Sequence, residues 1–200
     1  MSIYNKINAG FSLGTSEPIT SGIEDVIYIF NADDVALTYD TTNPLIVKGL
    51  TAVSNAKVYK FEGTNNSFNT TSKQTKTQVG PRYTEEIDFN IAGLSVDIKG
   101  QLMAMGYGRV RAIAVNNYKS SDSAIELFGA VNGLILTDAE RNAADESLDG
   151  GYKLKLTNPD KMKEPYPPRA VSYCSRHRQR HLCKHFSSPR GAGYSIIIVS

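Results

Sequence analysis

Apolar and polar positions along the chain define a series of short extended segments and one helix. Ile23 to Phe30 (IEDVIYIF) is apolar and β-branched after Gly22, the pattern of a buried strand. Asn31-Ala32-Asp33-Asp34 supplies turn residues, and Val35 to Asp40 and Leu45 to Leu50 read as two further short strands. Lys57 to Glu62 (KVYKFE), Thr84 to Ile91 (TEEIDFNI) and Gly151 to Thr157 (GYKLKLT) alternate polar with apolar residues. That period of two belongs to strands with one buried face. Arg109 to Val115 (RVRAIAV), Ala124 to Phe128 and Leu134 to Leu136 bring the expectation to about eight strands, with a polar loop from Asp138 to Gly150 before the last. The one helix starts at Ser95. Its hydroxyl can cap the first free amides, Asp97 suits the positive end of the dipole, and Ile98, Leu102 and Met105 share a face. Gly106 and Gly108 are expected to end it.

Gly63 to Gly80 (GTNNSFNTTSKQTKTQVG) is dominated by Asn, Thr, Ser, Gln and Lys and lies between two alternating segments. We read this as an extended hairpin, with arms at 57–62 and 84–91 and a polar middle too long for an ordinary turn. Such a segment has no core of its own and is expected either to be disordered or to order only against another subunit. The expected fold is therefore mainly β, a sandwich or barrel with one packed helix and a long projecting hairpin, or α+β by strict counting. Eleven Tyr, seven Phe and no Trp agree with a β-rich protein.

Charge adds a boundary that the 200-residue average conceals. The formal net charge is +2, yet residues 169–200 hold six basic side chains and no acidic one, leaving 16 basic against 20 acidic residues before them, a charge of −4. All three His and both Cys also fall in that tail. The Pro-rich stretch Glu164-Pro165-Tyr166-Pro167-Pro168 divides the two parts. The expected organisation is an arm at 1–20 rich in Gly, Ser, Thr and Asn, a β body at 21–168, and a basic, poorly packed tail at 169–200. No run of about 18 apolar residues is present, so a spanning helix and a membrane partner are not expected. The start, Met1-Ser2-Ile3-Tyr4-Asn5-Lys6, has no apolar signal stretch, which argues against secretion by that route.

Candidate chemistry is sparse. The body has neither His nor Cys, removing the usual general base, thiol nucleophile and transition-metal ligands. No phosphate-binding loop, zinc-protease helix motif or nucleophile elbow occurs. Glu85, Glu86 and Asp88 share one strand, Glu86 and Asp88 one face of it, as solvated acids commonly do. No catalytic, cofactor-binding or metal residue, no cofactor and no enzymatic activity are therefore expected. In the tail, Cys174, His177, His181, Cys183 and His185 offer ligand types that zinc prefers, in a spacing that matches no known finger. Arg176, Arg178, Arg180 and Lys184 could instead contact nucleic-acid phosphates, with almost no interleaved aromatics. The tail can also be incidental sequence, ending in Ile196-Ile197-Ile198-Val199; its isolated cysteines establish no disulfide.

The order of features resembles that of structural proteins from tailed phages of Bacteroidetes hosts. The likeness rests on IEDVIYIFNADDV, the Lys57-Val58-Tyr59-Lys60-Phe61-Glu62 strand, the polar excursion, and the acidic return Tyr83-Thr84-Glu85-Glu86-Ile87-Asp88-Phe89. It continues through the helix, RVRAIAV, ELFGAVNGL (Glu126 to Leu134) and GGYKLKLTNPDKMKEPYPP (Gly150 to Pro168), covering most of 20–168. Within that group the pattern is most similar to tail tube proteins. The resemblance implies a β-sandwich or barrel with a flanking helix and a projecting hairpin, copies joined in six-membered rings, and rings stacked into a virion tube that conducts genomic DNA without specific binding. It also implies assembly in the host cytoplasm, with other phage tail proteins as partners and the hairpin from Asn65 to Gly80 making the ring-stacking contact. A head decoration or head–tail connector protein would share the composition without needing that hairpin. A monomeric β-sandwich binding module would carry exposed aromatics in its end loops, where Phe68 and Tyr118 are the candidates.

Overall fold

The computed structural model describes residues 21–53, 56–63, 67–91, 95–118, 121–141, 143 and 151–172. The expected N-terminal arm and the Cys/His cluster of the tail lie outside these residues. The described residues are mainly β, with two sheets and a single helix among them, as the pattern implied. One sheet has seven strands in the order β2 (Val35–Tyr39), β3 (Ile46–Ala52), β11 (Arg169–Val171), β8 (Ile125–Phe128), β7 (Val110–Asn116), β1 (Ile23–Asn31), β4 (Val58–Glu62). The other has four, in the order β5 (Phe68–Thr77), β6 (Gly80–Ile91), β10 (Tyr152–Thr157), β9 (Ile135–Arg141).

Two cores explain the two kinds of apolar pattern. The first lies between the sheets: Ile27 and Ile29 of β1 and Ala112 and Ala114 of β7 meet Ile87 and Phe89 of β6 and Leu154 and Leu156 of β10. The second lies on the other side of the seven-stranded sheet, where Phe30 of β1 and Ile113 and Val115 of β7 pack with Val35, Val47, Leu50 and Leu127. β1 and β7 therefore bury both faces and read as nearly unbroken apolar runs. β6 and β10 bury one face and alternate.

The helix α1 (Val96–Tyr107) begins as expected, with the Ser95 hydroxyl accepting a hydrogen bond from the Ile98 amide at 3.1 Å. Leu102 and Met105 are buried, and Ile98 packs against the inter-sheet core. Its end differs from expectation. Gly106 is still helical, and Gly108 leaves in extended backbone with φ −105° instead of forming a left-handed cap.

Three sequence expectations need correction. A long hairpin exists, but its arms are β5 and β6; the 57–62 segment is β4, paired with β1 in the other sheet. The polar middle is mostly strand, paired from Phe68↔Phe89 to Thr77↔Gly80, with Gln78 and Val79 as a two-residue turn. Threonine is β-branched and favours extended backbone, so a Thr-rich strand with one apolar anchor is physically sound. That anchor is Phe68, which is buried and stacks on Phe89 with ring centroids 5.8 Å apart, not an exposed loop aromatic. Second, β9 runs on to Arg141 through residues assigned to a polar loop, because pairing with β10 satisfies its backbone while its side chains stay exposed. Third, Arg169–Val171 pairs with β3 on one side and β8 on the other, so the sheet extends three residues past the boundary drawn at Pro168.

Candidate functional site: a buried carboxyl cluster beside a groove

The three acidic residues read together on one strand separate in the fold. Glu86 and Asp88 face outward from the four-stranded sheet, and Glu86 pairs with Lys155 of β10 at 2.9 Å. Glu85 points the other way and is 1% exposed. Its carboxylate oxygen Oε2 accepts the Gly129 amide proton at 2.6 Å, and its own amide donates to Oδ1 of Asn158 at 2.6 Å.

A second carboxyl, Glu164, joins it from the segment between β10 and β11 and is also 1% exposed. Its oxygens accept from the amides of Val131 (3.1 Å) and Asn132 (2.7 Å), and its backbone exchanges two 2.9 Å hydrogen bonds with Tyr83. The two carboxyls thus hold one tight turn, residues 129–133, that links β8 of one sheet to β9 of the other. Gly129 and Gly133 have φ +68° and +74°, in the left-handed region that glycine tolerates best. Asn158 Nδ2 donates to the Gly133 carbonyl at 3.4 Å, and Asn132 Nδ2 donates to the Lys163 carbonyl at 3.2 Å.

Two cations lie behind this turn. Arg169, 4% exposed, places its guanidinium carbon 4.0 Å from the Tyr39 ring centre and 4.7 Å from that of Tyr166. Stacking on aromatic rings suits a planar, weakly hydrated guanidinium removed from water. Arg111 of β7 donates from Nη1 to the Val35 carbonyl at 2.6 Å, and its burial lowers its pKa. Glu85 is pushed up to about 8, first by loss of hydration and then by the neighbouring charges of Glu164 and Glu126; the Gly129 amide and Arg169 pull it partly back. Glu164 is raised as well, again chiefly by burial, against the opposing pull of its two amide donors, Arg169 and Arg111. At neutral pH the cluster therefore holds a proton on Glu85.

Above the cluster the inner side of the distal hairpin opens into a groove of about 350 Å³. Thr70, Ser72 and Gln74 of β5 form one wall, Tyr83 and Phe128 supply aromatic surface, and Glu126, Pro167 and Pro168 complete it. Ser72 is the cross-strand partner of Glu85. Among the described residues no group of three or more His, Cys, Asp or Glu is placed to hold a metal ion. No described helix is long and apolar enough to cross a membrane.

Sequence reading singled out Glu85 but grouped it with the wrong partners. Glu164, Arg169, Asn158 and Arg111 were missed. The one available signal was a charged residue opening each side of the 165–168 Pro-rich stretch, which composition presented as a boundary. No protein family matches the chain, and comparison with curated proteins and with solved structures finds no match either.

Proposed function

We infer that this chain is a structural virion protein whose copies join into stacked rings, most simply a phage tail tube. The observation that carries the reading is the β5–β6 hairpin. β10 pairs with β6 only from Glu86 to Ile91, so the distal half of the hairpin runs on beyond the four-stranded sheet, tied on that side by the Tyr83–Glu164 bridge. Its apex presents Val79 at 85% exposure, flanked by Lys73, Lys76 and Arg82 with no acidic residue between Phe68 and Thr84. An apolar tip on a cationic arm gives a monomer nothing and suits insertion into another copy.

Two further features support assembly. Val96, Met103 and Tyr107 are exposed along one face of α1, at i, i+7 and i+11, an apolar stripe of the kind that marks a protein contact. The sheets end in β2, β4, β5 and β9, and pairing such edges between subunits removes the hazard of open strands. The open face of the four-stranded sheet sets Glu86, Asp88, Asp138 and Glu140 against Lys153 and Lys155, with Lys73 and Arg82 on the same face of the distal hairpin, a charge-balanced surface that offers a DNA backbone no net attraction. The buried carboxyls direct their hydrogen bonds to the chain's own backbone, which favours a structural over a catalytic role.

Exchanging residues 75–82 for Asn-Gly tests the reading. Gln74 and Tyr83 are register partners, so a two-residue turn closes there and leaves Phe68 and the Tyr83–Glu164 bridge in place. The expected variant folds with an unchanged circular dichroism spectrum and sediments as a species too small to be a tube. Assembly at the wild-type concentration would refute the role given to the hairpin. Removing 65–78 outright is a poorer test, because it strips Phe68 from the core.

A further inference from the structure

The turn at 129–133 is held by carboxyls from two distant segments, and both are 1% exposed. We propose that Glu85 and Glu164 form a proton-dependent clasp on this turn, closed while Glu85 keeps its proton and released when that proton leaves to solvent. The geometry carries the idea. Glu85 from β6 and Glu164 from the 158–168 segment grip successive amides (Gly129, Val131, Asn132) of the single connection between β8 and β9. Release therefore acts on three things together: the joint between the sheets, the groove bordered by Phe128, and the Pro-rich approach to β11.

The groups facing the clasp set its direction. Glu85 meets Glu164 and Glu126 of β8, both disfavouring its charge, and Arg169 of β11, which favours it. Glu164 meets Arg169 and Arg111 of β7. Ionising both carboxyls places two negative charges on one small turn, with one cation already committed to Tyr39 and Tyr166. Glu85 has a raised value in the closed form and an ordinary one when opened to water. Closure is thus fully supported below about pH 4.5, and the support is lost as pH rises through about 8. The groove supplies the proton's exit, since Ser72 lies across from Glu85 and lines it. No histidine occurs before residue 177 to produce a competing transition in this range.

Hydrogen–deuterium exchange of the full chain, followed by mass spectrometry from pH 5 to 9 and corrected for intrinsic rates, reads the clasp. Opening of peptides covering 127–134 is expected to rise by about tenfold or more and to level off near pH 8. Peptides from β4, at the edge of the seven-stranded sheet with β1 and β7 between it and β8, stay level. In Glu85→Gln the rise is absent. Glu126→Gln, which removes only a nearby like charge, makes the rise level off at lower pH and serves if Glu85→Gln does not fold. A flat wild-type profile, a rise that survives in Glu85→Gln, or a plateau unmoved by Glu126→Gln each overturns the proposal. None of these outcomes depends on whether the protein forms tubes.

Discussion

Replacing Arg169 with Ala is expected to destabilise the protein by about 3–5 kcal/mol, the range for removing one partner of a buried charged set. Arg169 is the buried cation nearest both carboxyls, and it also fills the space beside Tyr39 and Tyr166. Its loss leaves a cavity beside Tyr39 and Tyr166 and leaves Glu164 with Arg111 as the remaining facing cation. The deficit must also depend on pH. Without Arg169 both carboxyls rise further above the ordinary range, so the cost of their ionisation grows, and the difference from wild type is larger at pH 8 than at pH 5. Urea unfolding of both proteins at the two values measures this. Arg169→Lys, which keeps the charge but not the planar stack, is expected to fall between them.

Gly129→Ala is the second large effect, expected to cost about 2–4 kcal/mol. The position has φ +68°, where a side chain is strained, and a Cβ there would lie 2.9 Å from the Gly133 carbonyl carbon, 2.9 Å from Leu134 Cγ and 3.0 Å from the Leu134 amide. Two of those neighbours are backbone of the same turn, so relief requires moving the turn off Glu85. Val at this position is expected to be worse than Ala. By contrast, Gly100→Ala in α1 meets nothing within 4 Å and is expected to be neutral or stabilising. Thermal melts of the three variants give the ranking.

These residues also show what the chain made readable. Burial on both faces wrote β1 and β7 as apolar runs, and burial on one face wrote β6 and β10 as alternation, so the elements that build the cores were legible. β5 was not, because its backbone is satisfied by β6 while most of its side chains stay in water; nothing apolar marks it after Phe68. β11 is three residues long and owes its place to neighbours more than 40 positions away. The carboxyl cluster was opaque for the same reason: Glu85 reaches Gly129 across 44 positions and Asn158 across 73. A local reading sees three acids on a strand and, by alternation, Glu85 on the face of Ile87 and Phe89, but nothing local shows the Gly129 and Asn158 partners that hold it there.

In the proposed function, copies of this chain assemble through the hairpin and the exposed helix face. Negative-stain electron microscopy of the purified protein, before and after concentration, tests it most directly. Rings, or hollow tubes with a lumen wide enough for duplex DNA, are expected, and they disappear in the 75–82 exchange. A monodisperse monomer at every concentration would contradict it.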